Sequence, residues 1–178
     1  MINLGSYIFS IPPDVFEKIK PLIKELDDIY EKRPKLEKND NMKLWDRESE
    51  LDDRIEKLLL DADVKKEELE LDPDGDCRPD EMGMVLTFKT TLFFEIDESV
   101  RTVYKIFENP LSPELTKKFT VWLLDLIEKT DAKKHLVDYA ADKYDRYPKE
   151  QIEKVFDKWI SMLKYSSEHG NWIYYHLK

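Results

Sequence analysis

The sequence predicts an α+β fold that is mostly helical, with a small, mainly antiparallel sheet that includes the N- and C-terminal strands. Apolar residues recur at spacings of three and four along most of the chain, which is the period of amphipathic helices. β-prone segments without this period stand at the two ends, at residues 4–11 and 171–177. Only four glycines occur in 178 residues, which fits helices with few tight turns. We therefore expect five to seven helices in a single domain over residues 1–178.

The N-terminal part of the chain predicts a strand followed by two helices. Pro12 and Pro13 end the first strand, and Pro13 suits the first turn of a helix. Apolar residues at helical spacing extend this helix to Tyr30, and Pro21 is expected to kink or split it. Residues 33–42 are polar and predict a loop. A second helix follows, and its apolar face carries Leu44, Leu51, Ile55 and Leu58.

The middle of the chain predicts a connector followed by β-structure. Residues 61–83 predict an acidic connector, and residues 72–81 within it predict a loop from their proline and glycine content. The segment Gly83–Ile96 is rich in β-branched and aromatic residues, which favours one strand or a short hairpin. Its apolar residues also fit the face of a helix that begins early. We expect the next helix to start near Asp97, because aspartate is a favoured N-cap residue.

Helix boundaries are marked more sharply in the C-terminal part. Ser112 and Pro113 have the residue types of an N-cap and a first helical position. A restart at Thr130–Asp131 and a break at Tyr147–Pro148 divide the rest into three helices. Gly170 predicts the end of the last helix. The terminal strand is then expected to pair with the first strand and close the domain.

The formal net charge of −10 favours a basic partner and disfavours nucleic acid or an anionic membrane as a partner. No apolar run approaches the roughly 20 residues that span a bilayer. The first residues lack the basic and apolar regions of a signal peptide. Cys77 is the single cysteine, so no intrachain disulfide can form. We therefore expect a cytoplasmic protein.

The sequence shows no motif of catalysis or cofactor binding. The three histidines form no zinc-binding pair, and the chain has neither a glycine-rich phosphate loop nor a nucleophile elbow. Acidic neighbours surround Cys77 and disfavour its thiolate form. We therefore expect no cofactor and favour a protein without catalysis. An enzyme whose site is assembled from distant residues stays an alternative.

Residues 44–82 hold the negative charge of the chain. They contain sixteen Asp or Glu and six Lys or Arg, and this excess of ten equals the net charge of the whole protein. Clustered carboxylates attract basic proteins and can occupy their cationic clefts. A solvated acidic surface without a partner is the simpler interpretation. The candidate partner-binding residues are Asp52, Asp53, Glu56, Asp72, Asp74, Asp76, Asp80 and Glu81.

Part of this segment also has the spacing of a calcium site. With Glu70 at position 1 of an EF-hand loop, Gly75 takes position 6 and Glu81 takes position 12. Against this interpretation, Glu70 replaces the usual aspartate, and the next segment favours β-structure where an EF-hand needs a helix. Calcium binding is therefore an alternative function. Its candidate ligands are Glu70, Asp72, Asp74, Asp76 and Glu81.

Both ends of the chain resemble YfbM-like bacterial domains. The opening segment Gly5–Phe9 and the helix Pro13–Leu26 are similar to the start of those domains. The close is similar as well, from Trp159–Leu163 through Tyr165–Gly170 to the final strand. The acidic segment 44–82 departs from that pattern. The resemblance implies an α+β fold around a small sheet and brings no established activity.

In overall character, the chain is similar to the immunity proteins of bacterial toxin systems. Those proteins are small, acidic and cytoplasmic, and they lack catalytic motifs. They bind one toxin, often a basic nuclease, and block it. The similarity implies an immunity protein or antitoxin that neutralises a basic toxin by covering its active surface.

Overall fold

The structure is a computed structural model that describes residues 6–32, 38–69, 80–95, 105 and 107–176. In chain order, its elements are β1 (Ser6–Ile11), α1 (Pro13–Lys32), α2 (Lys38–Asp61), β2 (Lys65–Leu69), α3 (Asp80–Glu95), α4 (Pro113–Lys129), α5 (Ala132–Lys143), α6 (Lys149–His169) and β3 (Trp172–His176). The predicted α+β class is confirmed: the described residues form six helices and a three-stranded antiparallel sheet with both terminal strands.

The contacts within the chain divide it into two compact units. Ile11–Val64 forms the first unit, and Met1–Ser10 together with Lys65–Lys178 forms the second. A single domain over residues 1–178 stays a prediction.

The first unit is a pair of helices, α1 and α2, that pack against each other. Arg47 of α2 joins them, because its Nε donates a 2.8 Å hydrogen bond to Glu25 Oε1 of α1. Helix α1 runs unbroken through Pro21. Pro21 is exposed, so water can hydrate the carbonyl that its missing N–H leaves without a partner. The buried side chains of α1 are Phe16, Ile19, Leu22, Ile23, Leu26 and Ile29.

The sheet of the second unit has the strand order β2-β1-β3, so the predicted pairing of the terminal strand with the first strand is confirmed. β1 and β2 are antiparallel, with Ser6 opposite Leu69 and Ser10 opposite Lys65. The predicted connector at residues 61–83 therefore contains a strand, and that part of the prediction is wrong. Four of the five residues of β2 are charged, so β propensity gives no signal, and main-chain pairing with β1 decides its conformation.

The outer edge of β3 is covered by residues 109–111. The amide of Leu111 donates to the carbonyl of Ile173 at 2.8 Å, and the reverse bond measures 3.1 Å. The side chain of Asn109 continues this pairing. Its Nδ2 donates to the carbonyl of Tyr175 at 2.8 Å, and its Oδ1 accepts from the amide of Tyr175 at 2.9 Å. This edge of β3 is therefore closed to another strand.

Residues 80–95 form helix α3, so the predicted strand or hairpin at Gly83–Ile96 is wrong. The reason is burial. A helix that is buried on most of its sides has no polar stripe, and its β-branched and aromatic residues then resemble a strand in sequence. The described apolar residues of α3 that are fully or almost fully buried are Met84, Val85, Phe88 and Leu92.

Two other predicted boundaries are affected. Helix α2 begins at Lys38, inside the segment 33–42 that was expected to be a loop. The helix start expected near Asp97 lies outside the described residues.

The predicted boundaries of the C-terminal helices are confirmed. Ser112 Oγ accepts a 3.3 Å hydrogen bond from the amide of Leu115, and Pro113 begins α4. Helix α5 follows Asp131, and α6 follows Pro148. Gly170 ends α6 with a φ of 64°, in the left-handed region that other residues adopt only with strain.

Trp159 of α6 lies fully buried at the centre of the second unit. Its ring stacks on Phe88 of α3 at 6.0 Å between centroids and meets Phe119 of α4 at 6.2 Å. Its indole Nε1 donates a 2.9 Å hydrogen bond to the hydroxyl of Tyr175 on β3. Three helices and the sheet therefore converge on one side chain.

A buried polar cluster ties the end of β1 to α6 and to the start of β3. Ser10 Oγ accepts hydrogen bonds from Ser166 Oγ at 2.6 Å and from Asn171 Nδ2 at 3.1 Å. All three residues are buried. Ser10 therefore satisfies two buried donors with one oxygen.

Ser10→Ala is expected to lower the free energy of unfolding more than Ser166→Ala does. Loss of Ser10 Oγ leaves two buried donors unpaired, which costs about 2–4 kcal/mol. Ser166→Ala leaves the bond from Asn171 intact and costs about 1 kcal/mol. Urea unfolding of both variants measures the difference, and equal losses would contradict a shared acceptor at Ser10.

Candidate functional site

The structure places three of the predicted partner-binding residues on α2. Asp53 is exposed and Asp52 is partly exposed. Glu56 is only 6% exposed, so its carboxylate is not part of the exposed acidic surface.

The other predicted contact residues lie in the second half of the acidic segment. Asp80 and Glu81 form the first turn of α3. The remaining predicted residues, with the calcium candidate Glu70, lie outside the described residues. They are Asp72, Asp74 and Asp76.

The structure agrees with one requirement of an EF-hand and disagrees with another. Helix α3 begins at Asp80, where an EF-hand needs its second helix, but strand β2 precedes residues 70–79, where an EF-hand has its first helix. Within the described residues, no group of three or more His, Cys, Asp or Glu could hold a metal ion. Calcium binding stays a prediction, and a calorimetric titration that shows no binding heat at millimolar calcium would remove it.

The exposed side of α2 combines apolar and acidic side chains. Met42 is 62% exposed and Trp45 is 60% exposed, although both are large and apolar. Asp46 and Asp53 are exposed as well. Spacings of three, four and eleven residues from Met42 put these side chains on one face of the helix. We call Met42, Trp45, Asp46 and Asp53 the outer face of α2.

A second candidate site lies at Lys89 on α3, which sequence reasoning missed. Of the lysines and arginines whose side chains the structure describes, Lys89 alone is buried, at 3% exposure. Its Nζ lies 4.0 Å from the centroid of the Tyr175 ring and 5.6 Å from that of Phe107. Both distances fall within the range of cation–π attraction. The amine is thus held by aromatic faces.

Burial lowers the pKa of Lys89 to about 8, because the charged amine loses its hydration. Among the described residues, no carboxylate offsets this cost. Burial also raises the pKa of the phenol of Tyr175, whose ring lies against the amine. The phenol therefore stays neutral while Lys89 titrates.

One sequence signal could have found this site. Lys89 is the only charged residue between Met82 and Phe94, in a run of thirteen residues. A lone lysine in an apolar run is notable only if the run is a buried helix. The predicted β-structure at Gly83–Ile96 gave no reason to expect a buried lysine. Alternate residues of a half-buried strand face solvent, and a lysine there is ordinary.

Helix α3 also contacts α5 through Thr87. The amine of Lys143 donates a 3.1 Å hydrogen bond to Thr87 Oγ1, and the hydroxyl of Tyr144 lies 3.4 Å from the same oxygen. An amine that donates to a hydroxyl does not activate it as a general base would. Thr87 and Lys89 are two residues apart on a helix and point to different sides. The two contacts therefore form no common site.

Comparisons with known proteins give no relative. No protein-family model, no curated protein and no solved structure matches the chain significantly. Among the described residues, no helix has the length and apolarity needed to cross a membrane. The functional argument therefore depends on the two candidate sites described above, the outer face of α2 and the buried Lys89.

Lys89→Met is expected to raise the free energy of unfolding at pH 7 by about 1–3 kcal/mol. The folded-state pKa of about 8 lies below the ordinary 10.5, so the folded state resists protonation of Lys89. This penalty, about 3 kcal/mol, is fully present below pH 8 and disappears as the pH rises to 10.5. Loss of the cation–π contact with Tyr175 offsets part of the gain.

The measurement is urea unfolding at pH 7, 9 and 10.5, with Lys117→Met on the exposed side of α4 as the control. The wild type should gain stability relative to Lys89→Met across this range. A difference that does not change with pH would contradict a desolvated amine.

Proposed function

We propose that this protein binds a basic protein through the outer face of α2, and that the partner is a toxin whose active surface it covers. The observation that carries the proposal is the exposure of Met42 and Trp45, one turn apart on an acidic helix. Exposing a tryptophan and a methionine to water is unfavourable unless another surface covers them.

Tryptophan and methionine are enriched in protein interfaces, and a central tryptophan often dominates the free energy of binding. Trp45 is therefore the proposed anchor of the interface. Asp46 and Asp53 lie on the same face and supply negative charge around it. Carboxylates at the rim of an interface mainly accelerate association and exclude partners of the wrong charge.

The charge of the chain supports a basic partner. The net charge is −10, and residues 44–82 account for all of it. Arg47, in the middle of α2, donates to Glu25 and Glu50 at 2.8 Å each, so its charge is balanced within the first unit. A partner with Lys and Arg around an apolar pocket fits this surface.

A toxin is the proposed class of partner because the chain is small and acidic and has no recognisable catalytic motif. In this proposal, the carboxylates meet the cationic residues with which a toxin binds its substrate. The predicted residues Asp72, Asp74, Asp76, Asp80 and Glu81 are further candidate contacts for the same basic partner.

The test begins with affinity capture from the native host, followed by titration of the purified partner. Trp45→Ala is expected to weaken binding at least tenfold, as loss of an interface anchor does. Asp46→Asn with Asp53→Asn should weaken binding more at low salt than at high salt, since screening removes the contribution of rim charges. Addition of the wild type should also inhibit the activity of the partner.

The matched control is Glu128→Gln with Glu168→Gln, which removes two exposed charges from the second unit and should leave binding within twofold. The quintuple Asn/Gln variant at Asp72, Asp74, Asp76, Asp80 and Glu81 measures the share of the predicted segment. A partner that is not basic, or that binds wild type and Trp45→Ala equally, would rule out the proposed interface.

A further inference from the structure

The amine of Lys89 has an environment that the proposed binding function does not require. It is a buried nitrogen close to two aromatic rings, and no carboxylate of the described residues shifts its pKa. A lysine with a purely structural role normally forms an ion pair with a carboxylate or has its amine in water. An amine that is desolvated without a counter-ion is the form in which lysine acts as a nucleophile.

The buried amine lies near a side chain that is itself partly exposed to solvent. Phe107, one of its two aromatic neighbours, is 45% exposed. The other neighbour, Tyr175, is held in place from both ends. Its hydroxyl accepts from Trp159, and its main chain is bonded to Asn109. Of these two neighbours, Tyr175 is therefore the fixed one and Phe107 is the exposed one.

We propose that the amine of Lys89 is a covalent acceptor site for small uncharged aldehydes, bounded by the rigid ring of Tyr175 and the exposed ring of Phe107. The site favours an uncharged compound because no described charged group influences the amine, so nothing beside it would hold a carboxylate or a phosphate. It favours a small compound because the amine itself is only 3% exposed.

The reaction needs no cofactor. The lone pair of the neutral Nζ attacks the carbonyl carbon, and a proton moves from nitrogen to oxygen to give a carbinolamine. Loss of water then leaves an imine with a C=N bond to Nζ. The carbonyl oxygen and both amine hydrogens leave as that water molecule, so the formation of the imine is balanced without an oxidant or a reductant.

The test is reductive trapping with acetaldehyde and sodium cyanoborohydride at pH 7, with peptide mass spectrometry to locate the modified lysines. With a pKa of about 8 in place of 10.5, the neutral fraction of Lys89 exceeds that of an ordinary lysine roughly 300-fold. Burial and lower basicity reduce this advantage. We expect Lys89 to be labelled at least about fivefold faster than the exposed residues Lys117, Lys154 and Lys164.

Two further readouts separate a reactive site from a merely buried lysine. The labelling rate of Lys89 should level off above pH 8, while the labelling rates of exposed lysines continue to rise up to pH 10.5. Phe107→Ala should open the site and raise the rate at Lys89, and it should also move this midpoint upward because water then reaches the amine. Phe107→Leu serves if the alanine variant unfolds. Transient unfolding does not imitate the result, because Lys89 in an unfolded chain reacts like any other lysine.

Preferential labelling of Lys89 in the wild type supports the site. Preferential labelling in Phe107→Ala alone also supports it and identifies Phe107 as the barrier to solvent. If Lys89 reacts no faster than the exposed lysines in the wild type and in both Phe107 variants, the proposal is wrong.

Discussion

The hydrogen bond from the Trp159 indole to the Tyr175 hydroxyl is the interaction on which the second unit depends. Trp159 is fully buried, so its N–H must find a partner inside the protein. That partner is on β3, the terminal strand, which is thereby joined to α6. The aromatic rings of Phe88 and Phe119 complete the surroundings of the indole and bring in α3 and α4. This polar contact joins β3 to α6 within an otherwise apolar core.

Tyr175 connects this core to the unusual chemistry of Lys89. Its hydroxyl is fixed by Trp159, its main chain by Asn109, and its ring lies against the lysine amine. A ring restrained in this way offers a π-face that cannot turn away, which partly compensates the ammonium for lost water. The same restraint keeps water from solvating the amine on that side. The low pKa of Lys89 follows from the position of β3 in the core.

The two proposed sites depend on different physical properties and lie in different units of the chain. The outer face of α2 belongs to Ile11–Val64 and would act through exposed apolar area and charge. Lys89 belongs to the second unit and would act through desolvation. A partner bound to the first and a covalent adduct on the second therefore require no shared residue, and either can exist without the other.

Periodicity and boundary residues alone determined most of the fold. Strong helical spacing with Ser112, Pro148 and Gly170 at the ends marked the C-terminal helices, because capping is a local property that neighbouring residues decide. The charge of residues 44–82 likewise predicted the acidic part of α2. Tertiary structure decided the rest. β2 forms because β1 offers main-chain partners to a charged segment. The sequence did not identify α3 as a helix, because a helix that is buried on several sides has no polar stripe. Tertiary structure also decided the surroundings of Lys89, because the ring that lies 4.0 Å from its amine belongs to Tyr175 on β3, far from α3 in sequence.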